Sequence, residues 1–193
     1  MITKRQAIEL IQHRLSGGDT PEDMRKLYPR SIISRVINLA LADAVTRDPY
    51  MANDMSINYV FTPSNDSSGY YITLNPRPIS GTLSIYTVED ESTNDPTYFI
   101  QTKLEAQALS VLRGSNKNAA ILFGDKIRFN KKPTGDVTVS MIPNVYQMAD
   151  DDALIVPNAE MALFTMCLQV LSSPQFQDEL NNNVQDAPSQ PRQ

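Results

Sequence analysis

The chain has 193 residues, 41% of them apolar and 20% charged, with 17 Lys and Arg against 22 Asp and Glu for a formal charge of −5. That length supports one main core with an appendage, and no basic surface dominates that could neutralise many phosphates, which disfavours sequence-independent nucleic-acid binding. Cys167 is the only cysteine and no apolar run follows MITKRQ, so the sequence predicts a protein without an intrachain disulfide, made and kept in a reducing cytosol.

The first helix is predicted from Thr3, where Thr3 and Gln6 have capping-box spacing. Ala7, Ile8, Leu10, Ile11 and Leu15 then share a face until Gly17-Gly18. Thr20 followed by Pro21, Glu22 and Asp23 predicts a short second helix that reaches Tyr28 and is stopped by Pro29. Ser31 is expected to cap a third, in which Ile32, Ile33, Val36, Ile37, Ala40, Leu41, Ala44 and Val45 keep helical period up to Asp48-Pro49.

Beyond Pro49 the period falls to two. Met55, Ile57, Tyr59 and Phe61 predict a strand, Pro63 to Gly69 a loop, and Tyr70 to Leu74 a second strand. A third strand is expected through Leu83, Ile85 and Thr87, closed by the acidic loop Glu89–Pro96, and a fourth at Tyr98-Phe99-Ile100. Residues 103–113 fit a helix or a strand equally well. Ala120–Phe123, Gly124-Asp125 and Lys126–Phe129 predict a hairpin in which Gly124 supplies the positive φ of a type II′ turn, and Val137–Ile142 a further strand.

Asp150-Asp151-Asp152 and Pro157 precede a run, Met161 to Leu171, that is apolar around most of its circumference. This run is expected to be buried against the first and third helices. It is broken by Thr165 and Gln169 and is too short to span a bilayer. Ser173-Pro174 can start one more helix, with Phe176, Leu180 and Val184 four residues apart on a polar segment. That stripe either folds back or docks on another chain, and is the candidate partner-binding site.

The predicted fold class is α+β: a helical bundle from residues 1–48 and 144–185, an inserted antiparallel β-sheet or sandwich over 49–143, and a flexible tail at 186–193. Basic residues exceed acidic ones by two in residues 1–48, and acidic exceed basic by seven over 49–193, so a stack of copies is expected to present one basic and one acidic end.

Candidate chemistry is sparse, and no enzyme is predicted. His13, the only histidine, has no cysteine or carboxylate motif spaced around it, and Cys167 lies in the most apolar helix, where burial raises a thiol's pKa. Asp150–Asp152 and Glu89–Glu91 lack the alternating oxygen ligands and glycine of a calcium loop and read as solvated turns. No glycine pattern cradles a phosphate, so no cofactor or metal is expected. Tyr70 and Tyr71 read as strand packing more than as a sugar platform, and Lys126, Arg128, Lys131 and Lys132 as a blunted sheet edge.

In their order, TKRQAIELIQHRL, SIISRVINLALADAVTRDP leading into strands, and IVPNAEMALFTMCLQVLSSPQFQDELNNN resemble the connector or adaptor ring proteins at the neck of tailed bacteriophages, of the crAss-like and other short-tailed types. The resemblance covers most of the chain. It implies a non-enzymatic virion protein, one of several rings stacked between portal and tail around the DNA channel, commonly a dodecamer. DNA would pass through without specific binding. The bundle would build the ring, its C-terminal segment would meet the portal protein or a neighbouring ring, and the β part would meet tail components. The long β insertion departs from the smaller, helical adaptors of long-tailed phages and leaves the particular ring open. The competing class is a β-sandwich tail-fibre accessory or carbohydrate-binding module, against which the absence of tryptophan and of heptads counts.

Overall fold

The computed structural model of the chain describes residues 1–15, 28–92, 97–101, 118–155, 159–174 and 176–177. The expected helix over 20–28, apart from Tyr28, the 103–113 segment, Pro157, Leu180, Val184 and the 186–193 tail lie outside the described residues.

The fold is α+β. In chain order its elements are β1 (Ile2–Thr3), α1 (Lys4–Leu15), α2 (Arg30–Arg47), α3 (Pro49–Asp54), β2 (Ile57–Phe61), β3 (Ser64–Asp66), β4 (Gly69–Thr73) and a 3-10 turn at Gly81–Ser84. Then come β5 (Ile85–Asp90), β6 (Phe99–Gln101), β7 (Ala119–Phe123), β8 (Lys126–Phe129), β9 (Val137–Met141), a second 3-10 turn at Val145–Gln147, β10 (Ala153–Ile155) and α4 (Glu160–Leu171).

The capping box at α1 forms as expected: the Thr3 N–H donates to Gln6 Oε1 at 3.0 Å and the Gln6 N–H to Thr3 Oγ1 at 3.3 Å. Helix α2 buries Ile33, Val36, Ile37, Ala40, Leu41, Ala44 and Val45 on one stripe. These join Ala7, Ile8 and Ile11 of α1 and Leu163, Cys167 and Leu171 of α4 in a single helical core, so elements from the two halves of the chain clasp one another. β1 adds to the clasp by pairing antiparallel with β10.

The second core lies between two sheets, one of order β2-β9-β5 and one of order β3-β4-β8-β7-β6. Val88, Val137 and Val139 of the first pack with Ile72, Ile127 and Phe129 of the second, a sandwich arrangement. Tyr98 meets Phe129 edge-on, their ring centroids 4.8 Å apart. The chain reaches this region at Ile57 and leaves it at Met141, and these two residues are cross-strand partners.

Five local expectations are corrected. Ser31 does not cap α2; the helix starts two residues earlier, with Pro29 at the cap position, because the Pro29 carbonyl accepts from both Ile32 and Ile33. Asp48-Pro49 both stops α2 and starts α3, since Asp48 Oδ1 accepts the Met51 N–H at 3.0 Å and proline fits the first helical turn. The Pro63–Gly69 stretch is a hairpin: Ser64 pairs with Tyr71 and Asp66 with Gly69, whose φ of 114° only glycine adopts readily. The strand expected from Leu83 starts at Ile85, because the Ser84 hydroxyl donates to the Gly81 carbonyl and accepts from the Ser80 N–H, holding Gly81–Ser84 as a turn. Finally, the sheet is not wholly antiparallel, as β6 runs parallel to β7. Parallel neighbours require a crossover, and its 16 residues, 102–117, lie outside the described set.

The hairpin at Gly124-Asp125 matches its prediction. Gly124 has φ 66°, and Phe123 pairs with Lys126 across the turn.

Candidate interaction surface

The ionisable clusters singled out by sequence turn out to hold the fold. In the acidic turn, the carbonyls of Asp150 and Asp152 accept from the Arg5 and Lys4 N–H groups that open α1, at 2.9 and 3.0 Å. Asp150 also pairs with Arg30 at 2.8 Å and Asp151 with Arg5 at 3.1 Å. The first turn of α1 carries no acid of its own, so this distant turn supplies both acceptors and negative charge to a helix N-terminus. Arg5 and Arg30 of the basic front of the chain thus pair with Asp151 and Asp150 of its acidic rear.

The Glu89–Glu91 stretch is likewise engaged. Asp90 is fully buried and accepts hydrogen bonds from Ser92 and Thr134, and Glu91 Oε1 accepts from the Thr138 hydroxyl at 2.6 Å. On β8, Arg128 makes a two-pronged pair with Asp66, at 2.9 and 2.8 Å, and this bond holds the Asp66 carboxyl down to about 2. Tyr71 lies beneath Lys126, with Nζ 3.9 Å from the ring centroid. Among the described residues no group of three His, Cys, Asp or Glu could hold a metal ion, and no helix is long and apolar enough to cross a membrane.

His13 lies exposed in the last turn of α1. Cys167 is fully buried, and that burial pushes its thiol up to about 12. The expected result with a thiol reagent at neutral pH is no labelling of the native protein and one equivalent after denaturation in urea. Rapid native labelling would place this face of α4 outside the core.

Helix α4 departs most from expectation. Its apolar residues surround it, yet it is buried on one side only, through Leu163, Cys167 and Leu171. Met161 is 55% exposed and Leu168 38% exposed; these positions lie seven apart, on one outward stripe. The expectation of full burial fails because α1 and α2 cover only the inner side. Beside this stripe an open groove of about 590 Å³ runs between α2 and α4. Leu39, Met166 and Val170 line it with apolar atoms, and Asp43, Arg47, Gln169, Ser172 and Ser173 give it a polar rim. Arg47 Nε stands 2.7 Å from Asp43 Oδ1.

No protein-family model matches the chain, and no curated protein matches it.

Of the candidate stripe, Phe176 is 5% exposed and belongs to the helical core, with the Arg35 guanidinium 5.8 Å from its ring centroid. Ser173 begins the expected last helical segment, its hydroxyl accepting from the Phe176 N–H and its carbonyl from the Gln177 N–H. Leu180 and Val184 lie outside the described residues, so the stripe is placed only at Phe176, where it folds back.

The sheets carry further exposed apolar side chains, Val60 on the edge strand β2, Leu83 on the 3-10 turn and Phe123 at the hairpin tip. Sequence reasoning did not single out this hairpin tip or the outer face of α4. The signal was present in α4, since a helix apolar all round has more apolar surface than one bundle contact can cover.

Proposed function

We propose that this chain is a non-enzymatic structural subunit that assembles with copies of itself into a ring in the neck of a tailed bacteriophage, between portal and tail and around the DNA channel. The observation that carries the reading is the outer face of α4: Met161 and Leu168, beside the groove at Leu39 and Val170, leave an apolar helix covered on one side. Such a face marks an assembly surface. A ring closed by rotation needs two different complementary patches on each copy, and the bundle and the sandwich each offer one. The ionisable clusters are engaged in helix capping and turn clamping, which suits a scaffold more than a reaction site. The portal protein and adjoining neck or tail rings are the proposed neighbours. A net charge of −5 suits a wall along which DNA slides without tight phosphate contacts. A carbohydrate-binding module draws less support, since the Tyr71 ring that would serve as a platform is stacked beneath Lys126.

The test is imaging. Negative-stain microscopy of the purified protein with its portal, and location of the chain in intact particles, should give symmetric density of about twelve copies beneath the portal. A chain absent from mature particles, or a trimer at a fibre tip, would overturn the reading.

A further inference from the structure

Resting on the reading that copies of this chain assemble, we propose that the hairpin tip Phe123–Lys126 of one copy seats in the α2/α4 groove of the next, with the Phe123 ring beneath Arg47. Helix α2 sets Arg35, Leu39, Asp43 and Arg47 at intervals of four, hence along one face. At its Arg35 end, the space between α2 and the end of α4 is filled by Phe176, packed under the arginine. The groove repeats those parts further along α2: an arginine, an apolar floor of Leu39, Met166 and Val170, and no aromatic side chain among its lining residues.

The tip has the complementary shape. Phe123 is 65% exposed. It is held on a rigid turn: Gly124 takes φ 66°, the Leu74 N–H donates to the Asp125 carbonyl at 2.7 Å, and Arg77 pairs with Asp125 at 3.4 Å. A rigid protruding aromatic entering an apolar notch is the usual anchor of a protein interface. Asp125 and Lys126 carry the tip's charges and Arg47 and Asp43 those of the groove rim, so docking would exchange the exposed Arg77–Asp125 and Asp43–Arg47 pairs for pairs between copies. Because Phe123 is exposed within its own chain, the groove it fills is another copy's. Tip and groove are different patches, so the contact runs head to tail and can propagate around a ring, which a two-fold α4-on-α4 contact cannot do.

Full-length chains carrying Gln169→Cys or Asp125→Cys test this directly, with buried Cys167 as a silent background. Under mild oxidation the two variants mixed should give a disulfide-linked heterodimer, while each alone gives little product. Adding Phe123→Ala to the Asp125→Cys chain should cut the mixed product about tenfold or more. Homodimers of either variant forming as fast as the mixed product, or a Leu168→Cys homodimer outcompeting it, would overturn the contact in favour of a two-fold one. Rings in particles without a mixed disulfide overturn the contact and leave the ring reading standing. A mixed disulfide in open chains that never close overturns the ring and leaves the contact standing, and failure of both overturns both.

Discussion

Leu41→Ala is expected to cost the folded protein about 3 to 4 kcal/mol. Leu41 is fully buried on α2, the helix against which both α1 and α4 pack. Its truncation removes buried methyl groups and leaves a cavity that three converging helices cannot readily close. Leu39, two residues earlier on the same helix, is 42% exposed in the groove, and Leu39→Ala is expected to cost under about 1 kcal/mol. Urea unfolding checks the pair: the midpoint should fall strongly for Leu41→Ala and little for Leu39→Ala, with unchanged slope. Equal losses would mean that α2 is not oriented as described.

The second large effect is at Asp90, whose carboxylate ties the turn after β5 to the turn before β9. It accepts from the Ser92 N–H at 3.2 Å and hydroxyl at 2.7 Å, and from the Thr134 N–H at 2.6 Å and hydroxyl at 3.2 Å. Asp90→Ala removes a buried charged acceptor of four hydrogen bonds and leaves the exposed Ser92 and Thr134 donors to water, a loss of about 2 kcal/mol. Burial alone would raise this carboxyl, but the four donors outweigh it and hold the group below the usual carboxylate range. Its folded-state value therefore lies below its unfolded one, so its contribution is complete above the ordinary carboxylate range and is lost as pH falls toward the folded value. Asp90→Asn should accordingly differ from wild type more at about pH 7 than at about pH 3, as read from urea midpoints; a constant difference would show that the charge is not what the clamp uses. Gly135 lies beneath the same clamp, where a Cβ would come within 2.8 Å of Ser92 Oγ. Gly135→Ala must displace Ser92 and should weaken the same junction.

What could be read in advance was whatever neighbouring residues decide between themselves. The Thr3/Gln6 box and the Gly124 turn depend on groups within three residues of each other, and both formed as written. The apolar stripes of α1 and α2 were legible because helical period reports one face directly. Three features escaped because their causes lie far along the chain or have two meanings. The polarity of Ser64–Asp66 reads as loop until Tyr70 and Tyr71 are known to turn back beside it. Asp48-Pro49 carries a stop signal and a start signal in the same two residues. The 150–152 turn reads as solvent-facing until α1, more than 140 residues earlier, brings its first N–H groups to the Asp150 and Asp152 backbone carbonyls. Of the interaction surface, composition showed that α4 was too apolar for a solvent-facing helix, but not which side the bundle would leave bare. The C-terminal stripe was visible as a pattern, and folding drew its first member, Phe176, into the core.

The pairing of Ile57 with Met141 has a consequence for how such a chain can change over generations. Opposed residues in an antiparallel pair sit within about 5.5 Å, a gap that a two-residue turn can close. The parts between them that do not touch the helices could be shortened, lengthened or traded for an unrelated module while both stubs stay where they are. Ile79 and Tyr86, lodged against the helical core, make a second fastening, so the helices form a socket that can be fitted with different attachments provided each keeps those two points.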